Sequence, residues 1–103
     1  MPRNYFISQD VFTRFPGYRR GVVLAYGVHN PPSSPELVAA LRQAEQELCT
    51  RLTPETIISH PRIEAWREAY RSLGVKPSEF RPSVEALARR VLKGDPLPAI
   101  STL

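Results

Sequence analysis

GVVLAYGV, residues 21–28, decides the expected fold class of this chain. The run is apolar throughout, which is typical of a strand buried on both faces. A second stretch, YFISQDVF at residues 5–12, is rich in strand-forming side chains and contains no glycine or proline. FPGY at residues 15–18 lies between them and favours a type II turn, because Pro16 fixes φ and Gly17 accepts a positive φ. We therefore expect the chain to open with two strands, paired as an antiparallel hairpin.

The next stretch, residues 33–52, has the apolar spacing of a helix. SSPE at residues 33–36 is a helix-start signature in which a serine caps the first turn, and if Ser33 is that cap, Glu36 completes a capping box with it. Its buried stripe is predicted to consist of Leu37, Leu41, Ala44, Leu48 and Leu52.

Two further helices are predicted, over residues 60–73 and residues 82–93. Gly74 and Gly94 follow them, where a left-handed residue commonly ends a helix. The inward-facing side chains are expected to be Ile63, Trp66, Tyr70 and Leu73 in the first, and Val84, Leu87, Ala88, Val91 and Leu92 in the second. The expected fold class is thus α/β of the mixed α+β kind: an N-terminal strand pair followed by three helices, in one domain over residues 1–103.

Composition limits the classes of protein to which the chain can belong. Its 103 residues suffice for one domain and are too few for two. Cys49 is the single cysteine, which excludes an internal disulfide and a cysteine-based metal site. No apolar run reaches the roughly 18 residues that a membrane helix needs. The N-terminus lacks the pattern of a secretory signal, so we expect a cytoplasmic protein with no membrane partner.

Positive charge is concentrated in two blocks. The net charge is +4. Residues 1–33 hold four arginines against one aspartate, and residues 60–93 hold eight cations against four glutamates. This distribution is compatible with a polyanionic partner, and the alternative is a set of ordinary solvated helix faces.

The sequence contains no self-sufficient catalytic constellation. It has no phosphate-binding glycine loop, nucleophile elbow or metal signature. Of the two histidines, His60 lies at a predicted helix start, and a pair formed with Glu64 is not a zinc site because at least a third ligand is required. We therefore expect no metal and no cofactor.

The second half of the chain carries a family resemblance. The stretches that carry it are HPRIEAWREAYR at 60–71, GVKPSEFRPSVEAL at 74–87, RRVLKG at 89–94, LPAI at 97–100, FPGYRRGVV at 15–23 and SPEL at 34–37. In these stretches the chain resembles stand-alone B3/B4-domain proteins, which are similar to the B3/B4 domain of the phenylalanyl-tRNA synthetase β subunit.

The resemblance implies a B3/B4-like α/β fold of two interlocked subdomains and an RNA-linked function. In the synthetase this domain grips the aminoacylated end of the tRNA and hydrolyses wrongly attached tyrosine, using a positioned water and no metal. The implied enzyme is an aminoacyl-tRNA deacylase, or part of a phenylalanine-tRNA ligase. The family's editing residues lie largely beyond the matching segment, so the expected fold is incomplete at the C-terminus and no catalytic residue is assigned.

Seven cations are our predicted contacts to the tRNA backbone, where they position an RNA without reading its sequence. They are Arg19, Arg20, Lys76, Arg81, Arg89, Arg90 and Lys93. The alternative hypothesis is a non-enzymatic module that binds amino acids or another protein. An open strand edge expected near residues 96–103 would pair with a second copy or with a partner chain that completes the sheet.

Overall fold

A computed structural model of the chain describes residues 4–98, and its regular structure is helical. Four α-helices occur in this range, together with one turn of 3-10 helix at Ile57–Ser59. The α-helices are α1 (Gln9–Arg14), α2 (Pro35–Arg51), α3 (Pro61–Ser72) and α4 (Ser83–Leu92). No β-strand forms between residues 4 and 98.

The three long helices confirm the predicted helices to within two residues at either end. Of the two serines in the predicted helix-start signature, Ser34 is the cap of α2, and its hydroxyl accepts the Leu37 N–H at 3.2 Å. His60 caps α3, where its Nδ1 accepts the Arg62 N–H at 3.2 Å. The predicted helix stops are correct, since Gly74 and Gly94 have φ of 76° and 86°.

The expected α/β class is wrong for the described residues, and the first predicted strand shows one reason. The second half of the stretch 5–12 belongs to α1. The Ser8 hydroxyl accepts the Asp10 N–H at 3.3 Å, and the Thr13 hydroxyl donates to the Gln9 carbonyl at 3.1 Å. These local hydrogen bonds satisfy a helical turn without a partner strand, whereas a strand requires one.

The second predicted strand, residues 21–28, is irregular and exposed along its whole length. Among the described residues, no backbone group from 19 to 33 makes a backbone hydrogen bond. The turn before it forms, with the Tyr18 N–H donating to the Phe15 carbonyl at 2.9 Å. It is not of type II, because φ of Gly17 is not positive. The hairpin therefore does not form, and the part of the expected strand edge at residues 99–103 lies outside the described residues.

The buried core is small for a chain of this length. Ile57, Ile63 and Val91 are its buried large apolar side chains among the described residues, joined by the carboxylate of Glu85. They lie where α2 packs on α4 and the 3-10 turn packs on α3. The radius of gyration is 16.9 Å, against about 13 Å for a compact domain of this size.

The predicted inward faces are only partly buried. Val91 is buried as expected, but Val84 and Leu87 of α4 are about half exposed. Leu37, Trp66 and Leu73, from the predicted stripes of α2 and α3, are also exposed. Val84 and Leu87 share a helix face with the buried Val91, so this face of α4 is buried at its C-terminal end and uncovered towards its N-terminal end.

Candidate nucleic-acid interface

A fully buried carboxylate joins α3 to α4. Arg67 on α3 donates from Nη1 to both Glu85 carboxylate oxygens, at 2.8 and 3.0 Å. Arg89, one turn along α4, donates from Nε to Glu85 Oε2 at 2.8 Å. Arg81 lies at a longer 3.7 Å from the same oxygen. Three guanidinium groups thus surround one carboxylate, and the cluster carries a net positive charge.

The arginines keep Glu85 ionised. Burial alone raises the pKa of the Glu85 carboxyl, but the hydrogen bonds from Arg67 and Arg89 outweigh it and hold that pKa below its usual range. Arg89 also donates to the Pro54 carbonyl at 3.3 Å. The cluster therefore fixes α4 against both α3 and the segment that precedes the 3-10 turn.

A cavity of about 390 Å³ opens beside this cluster, at the C-terminal end of α3. Three cationic side chains line it and no acidic one does. We call it the basic cavity; its lining residues are Arg67, Arg71, Gly74, Val75, Lys76, Pro77 and Ser78. Arg71 donates to Glu68 at 3.0 Å, but both side chains are at least half exposed. Such surface pairs contribute only about 0–1 kcal/mol, so Arg71 can exchange its partner.

The seven predicted RNA contacts do not form one patch. Arg19 and Arg20 are exposed in the irregular segment after α1, and the Arg20 guanidinium lies 5.4 Å from the centre of the Tyr5 ring. Lys76 lies in the basic cavity, and Lys93 is exposed at the end of α4.

The other three predicted contacts have acidic partners. Arg81 and Arg89 belong to the Glu85 cluster, where only 16% of the Arg89 side chain is exposed. Arg90 forms a 3.1 Å ion pair with Asp95. Arg89 is therefore the predicted contact with the least surface to offer an RNA.

Sequence reasoning missed Arg67 and Arg71, which line the basic cavity. A signal for them was present: they are one turn apart on α3, and Lys76 follows the turn at Gly74. Residues at i and i+4 share one helix face. The buried position of Glu85 gave no such signal, because its partner Arg67 lies 18 positions earlier in the chain.

A second cavity, the aromatic cleft, lies between α1 and α3. It has a volume of about 580 Å³, and its walls include Phe15, Tyr18, Trp66 and Tyr70. Tyr18 packs edge-on against Trp66, with ring centres 6.5 Å apart. Arg14 donates from Nη2 to the Ser72 carbonyl at 3.0 Å and so ties α1 to the end of α3.

Two features are absent from the described residues. Across residues 4–98, no cluster of three or more His, Cys, Asp or Glu side chains is arranged to hold a metal ion. Within the same residues, no helix has both the length and the apolar character needed to cross a membrane.

Comparisons with protein-family models, with curated proteins and with solved structures found no match to this chain. The resemblance to B3/B4 domains therefore stays a prediction that rests on the quoted sequence stretches.

Proposed function

We propose that this chain is a tRNA-binding module and that the basic cavity receives a backbone phosphate. The observation that carries the proposal is the lining of that cavity, which includes Arg67, Arg71 and Lys76 and no acidic side chain. Phosphate oxygens accept hydrogen bonds from guanidinium and ammonium groups, and the Ser78 hydroxyl adds a neutral donor. The tRNA itself is the ligand that the B3/B4 resemblance implies.

The exposed cations outside the cavity support an extended RNA path. Arg19, Arg20 and Lys93 are exposed and form no ion pair with another described residue. Tyr5 beside Arg20 offers an aromatic face on which an unpaired base can stack. Because these groups recognise charge and base faces, we expect them to position an RNA without selecting its sequence.

The resemblance extends the proposal to the aminoacylated end of the tRNA. The reaction it implies is hydrolysis of a wrongly attached amino acid, and we assign no described residue as catalytic. A cytoplasmic location fits this role and agrees with the lone Cys49, which permits no internal disulfide.

The direct test is tRNA binding, measured by fluorescence anisotropy at two salt concentrations with double-stranded DNA as competitor. We expect binding that weakens with salt and survives the competitor. The double variant Arg71→Ala/Lys76→Ala should reduce the slope of log affinity against log salt by roughly 2, one for each lost phosphate contact.

Arg51→Ala is a single-charge control for the two single variants Arg71→Ala and Lys76→Ala, because it removes one positive charge from the end of α2 and does not touch the basic cavity. It should leave affinity nearly unchanged. Absence of binding at low salt, or equal losses in the control and the cavity variants, would contradict the proposal.

The aromatic cleft favours a second candidate function, the non-enzymatic binding of an amino acid. Its walls are mostly apolar and aromatic, which suits an aromatic side chain. Trp66 is the single tryptophan of the chain and lines the cleft, so its fluorescence reports occupancy directly. Titration with phenylalanine should give a saturable change that Ala69→Leu abolishes by filling the cleft. A linear response, identical in both proteins, would exclude this function.

A further inference from the structure

The basic cavity has more side-chain donors than an internal phosphate of an RNA can use. Its lining includes the exposed cations Arg71 and Lys76, and Ser78, whose side chain is a hydroxyl. An internal phosphate is a diester, with two unesterified oxygens and one negative charge. A phosphate monoester has three unesterified oxygens and a charge of about −1.5 to −2 at pH 7. The donor set therefore matches a monoester better than a diester.

The charges of the cavity lead to the same conclusion. Arg67 donates to both oxygens of the buried Glu85 carboxylate, so its charge is already balanced inside the protein. Lys76 forms no ion pair with another described residue, and Arg71 has one exposed pair, with Glu68. Arg71 and Lys76 are thus the two lining cations that a ligand can neutralise, and two is the charge of a phosphate dianion.

The turn that carries Lys76 and Ser78 is fixed by its own hydrogen bonds. The Glu79 and Phe80 N–H groups both donate to the Lys76 carbonyl, at 3.0 Å each. Pro77, between Lys76 and Ser78, is buried. A fixed backbone at these positions reduces the ordering that binding of a ligand would cost.

Two backbone donors at the cavity are not available to an anion. The Gly74 N–H donates to the Arg71 carbonyl at 2.9 Å, and the Val75 N–H donates to the Tyr70 carbonyl at 3.0 Å. Pro77 has no N–H group. Recognition of a phosphate here therefore depends chiefly on the side chains, which makes it open to test by substitution.

We propose that the basic cavity binds a phosphate monoester, and that the monoester is the 5′-terminal phosphate of the tRNA. Every internal phosphate of an RNA is a diester, so the 5′ end carries the group that matches the donors and charges described above. This inference rests on the proposed tRNA binding and specifies which phosphate the cavity receives.

The first test compares two forms of one tRNA, with its 5′ phosphate present and with that phosphate removed by a phosphatase. Both carry a fluorescent label in the anticodon loop, and affinity is measured by anisotropy at one salt concentration. The wild-type protein should bind the phosphorylated form at least about tenfold more tightly, because charge-assisted hydrogen bonds are lost with the phosphate.

Variants locate the effect. Lys76→Ala should bring the ratio of the two affinities close to one. Lys93→Ala is the matched control, because Lys93 is also an exposed lysine but follows α4, outside the cavity. It should weaken both forms equally and leave the ratio unchanged. A wild-type ratio of one would overturn the inference while leaving tRNA binding in place. An equal fall of the ratio in both variants would also overturn it.

Small phosphates test the cavity without RNA. The protein is titrated with methyl phosphate, a monoester, and with dimethyl phosphate, a diester, at neutral pH and constant ionic strength, and the amide NMR signals of Gly74 and Val75 are followed. Methyl phosphate should shift these signals saturably and bind at least about tenfold more tightly than dimethyl phosphate, and Lys76→Ala should abolish the response. Equal affinities would overturn the preference for a monoester. Binding of methyl phosphate without binding of either tRNA form would contradict the proposed function and overturn the RNA end as the source of the phosphate.

Discussion

Replacement of Glu85 by glutamine tests whether the buried cluster holds α3 and α4 together. The carboxylate is fully buried and accepts hydrogen bonds from Arg67 and Arg89, whose side chains are only 13% and 16% exposed. The variant keeps the size of the side chain and removes its charge, so two largely buried guanidinium groups lose their counter-ion. Removing one partner of a buried ion pair costs roughly 3–5 kcal/mol. We expect a loss near the lower end, because glutamine still offers one acceptor oxygen.

The assay is urea unfolding at neutral pH, followed by Trp66 fluorescence and by helical circular dichroism. Small domains have total stabilities of about 5–15 kcal/mol, so a loss of about 3 kcal/mol should shift the midpoint strongly or leave no folded baseline. Glu68→Gln is the matched control. Glu68 also pairs with an arginine on α3, but its side chain is 73% exposed, and the expected loss is at most about 1 kcal/mol.

The reasoning would be refuted by equal losses in the two variants. That result would mean that water reaches the Glu85 cluster freely and that the pair behaves like one on the surface. A stabilised Glu85→Gln variant would be a stronger contradiction, because it would mean that the free-energy cost of desolvating the carboxylate exceeds the stabilisation that its arginine partners provide.

Three further predictions concern pH, backbone conformation and helix capping. The folded-state pKa of Glu85 is lowered, so its contribution to stability is fully present above its unfolded pKa of about 4.3 and is lost as pH falls through the folded value. The stability difference between wild type and Glu85→Gln should therefore shrink below about pH 4.3 in urea titrations, and a constant difference would contradict this. Gly74→Ala should cost roughly 1–2 kcal/mol in urea unfolding, because φ at this position is 76°, whereas Gly17→Ala, at a position without positive φ, should cost less. Ser34→Ala should cost about 1 kcal/mol in thermal unfolding and Ser33→Ala much less, since the Ser34 hydroxyl caps α2; a larger loss for Ser33→Ala would contradict this assignment of the cap.

The long helices were predictable because their signals are local. The apolar spacing of α2, α3 and α4, the helix-start residue His60 and the glycine stops all lie within or beside the helices they define. The extent of burial along α4 was less predictable, because it depends on which other elements pack there. Val84 and Leu87 share a helix face with the buried Val91, as the spacing predicts, yet both are about half exposed.

The predicted strands failed for the opposite reason. A strand is stabilised by the neighbouring strand with which it pairs. The apolar character of residues 21–28 indicates that the segment favours burial, but it does not indicate which other segment would cover it. Residues 5–12 contain Ser8, which can cap a helix, and in the structure Ser8 is the N-cap of α1. In the candidate site, Lys76 was predicted from the charge blocks as an RNA contact, and it lies in the basic cavity, where that contact stays a prediction. Pairing between distant side chains, as in Arg89 with Glu85 and Pro54, is not encoded in a local pattern.

The bond from Arg14 to the Ser72 carbonyl has a consequence for the kinetics of the aromatic cleft. Helix α1 spans only Gln9–Arg14, has no buried residue, and is exposed where Arg14 meets α3. An element held in this way opens with a much smaller free energy than the segments around Ile57 and Ile63, which separate only when the whole chain unfolds. Amide hydrogens of α1 should therefore exchange with solvent orders of magnitude faster than those of α3. A guest molecule can then enter the aromatic cleft when α1 moves away from α3, which breaks the Arg14 bond and the edge-on contact of Phe12 with Tyr18.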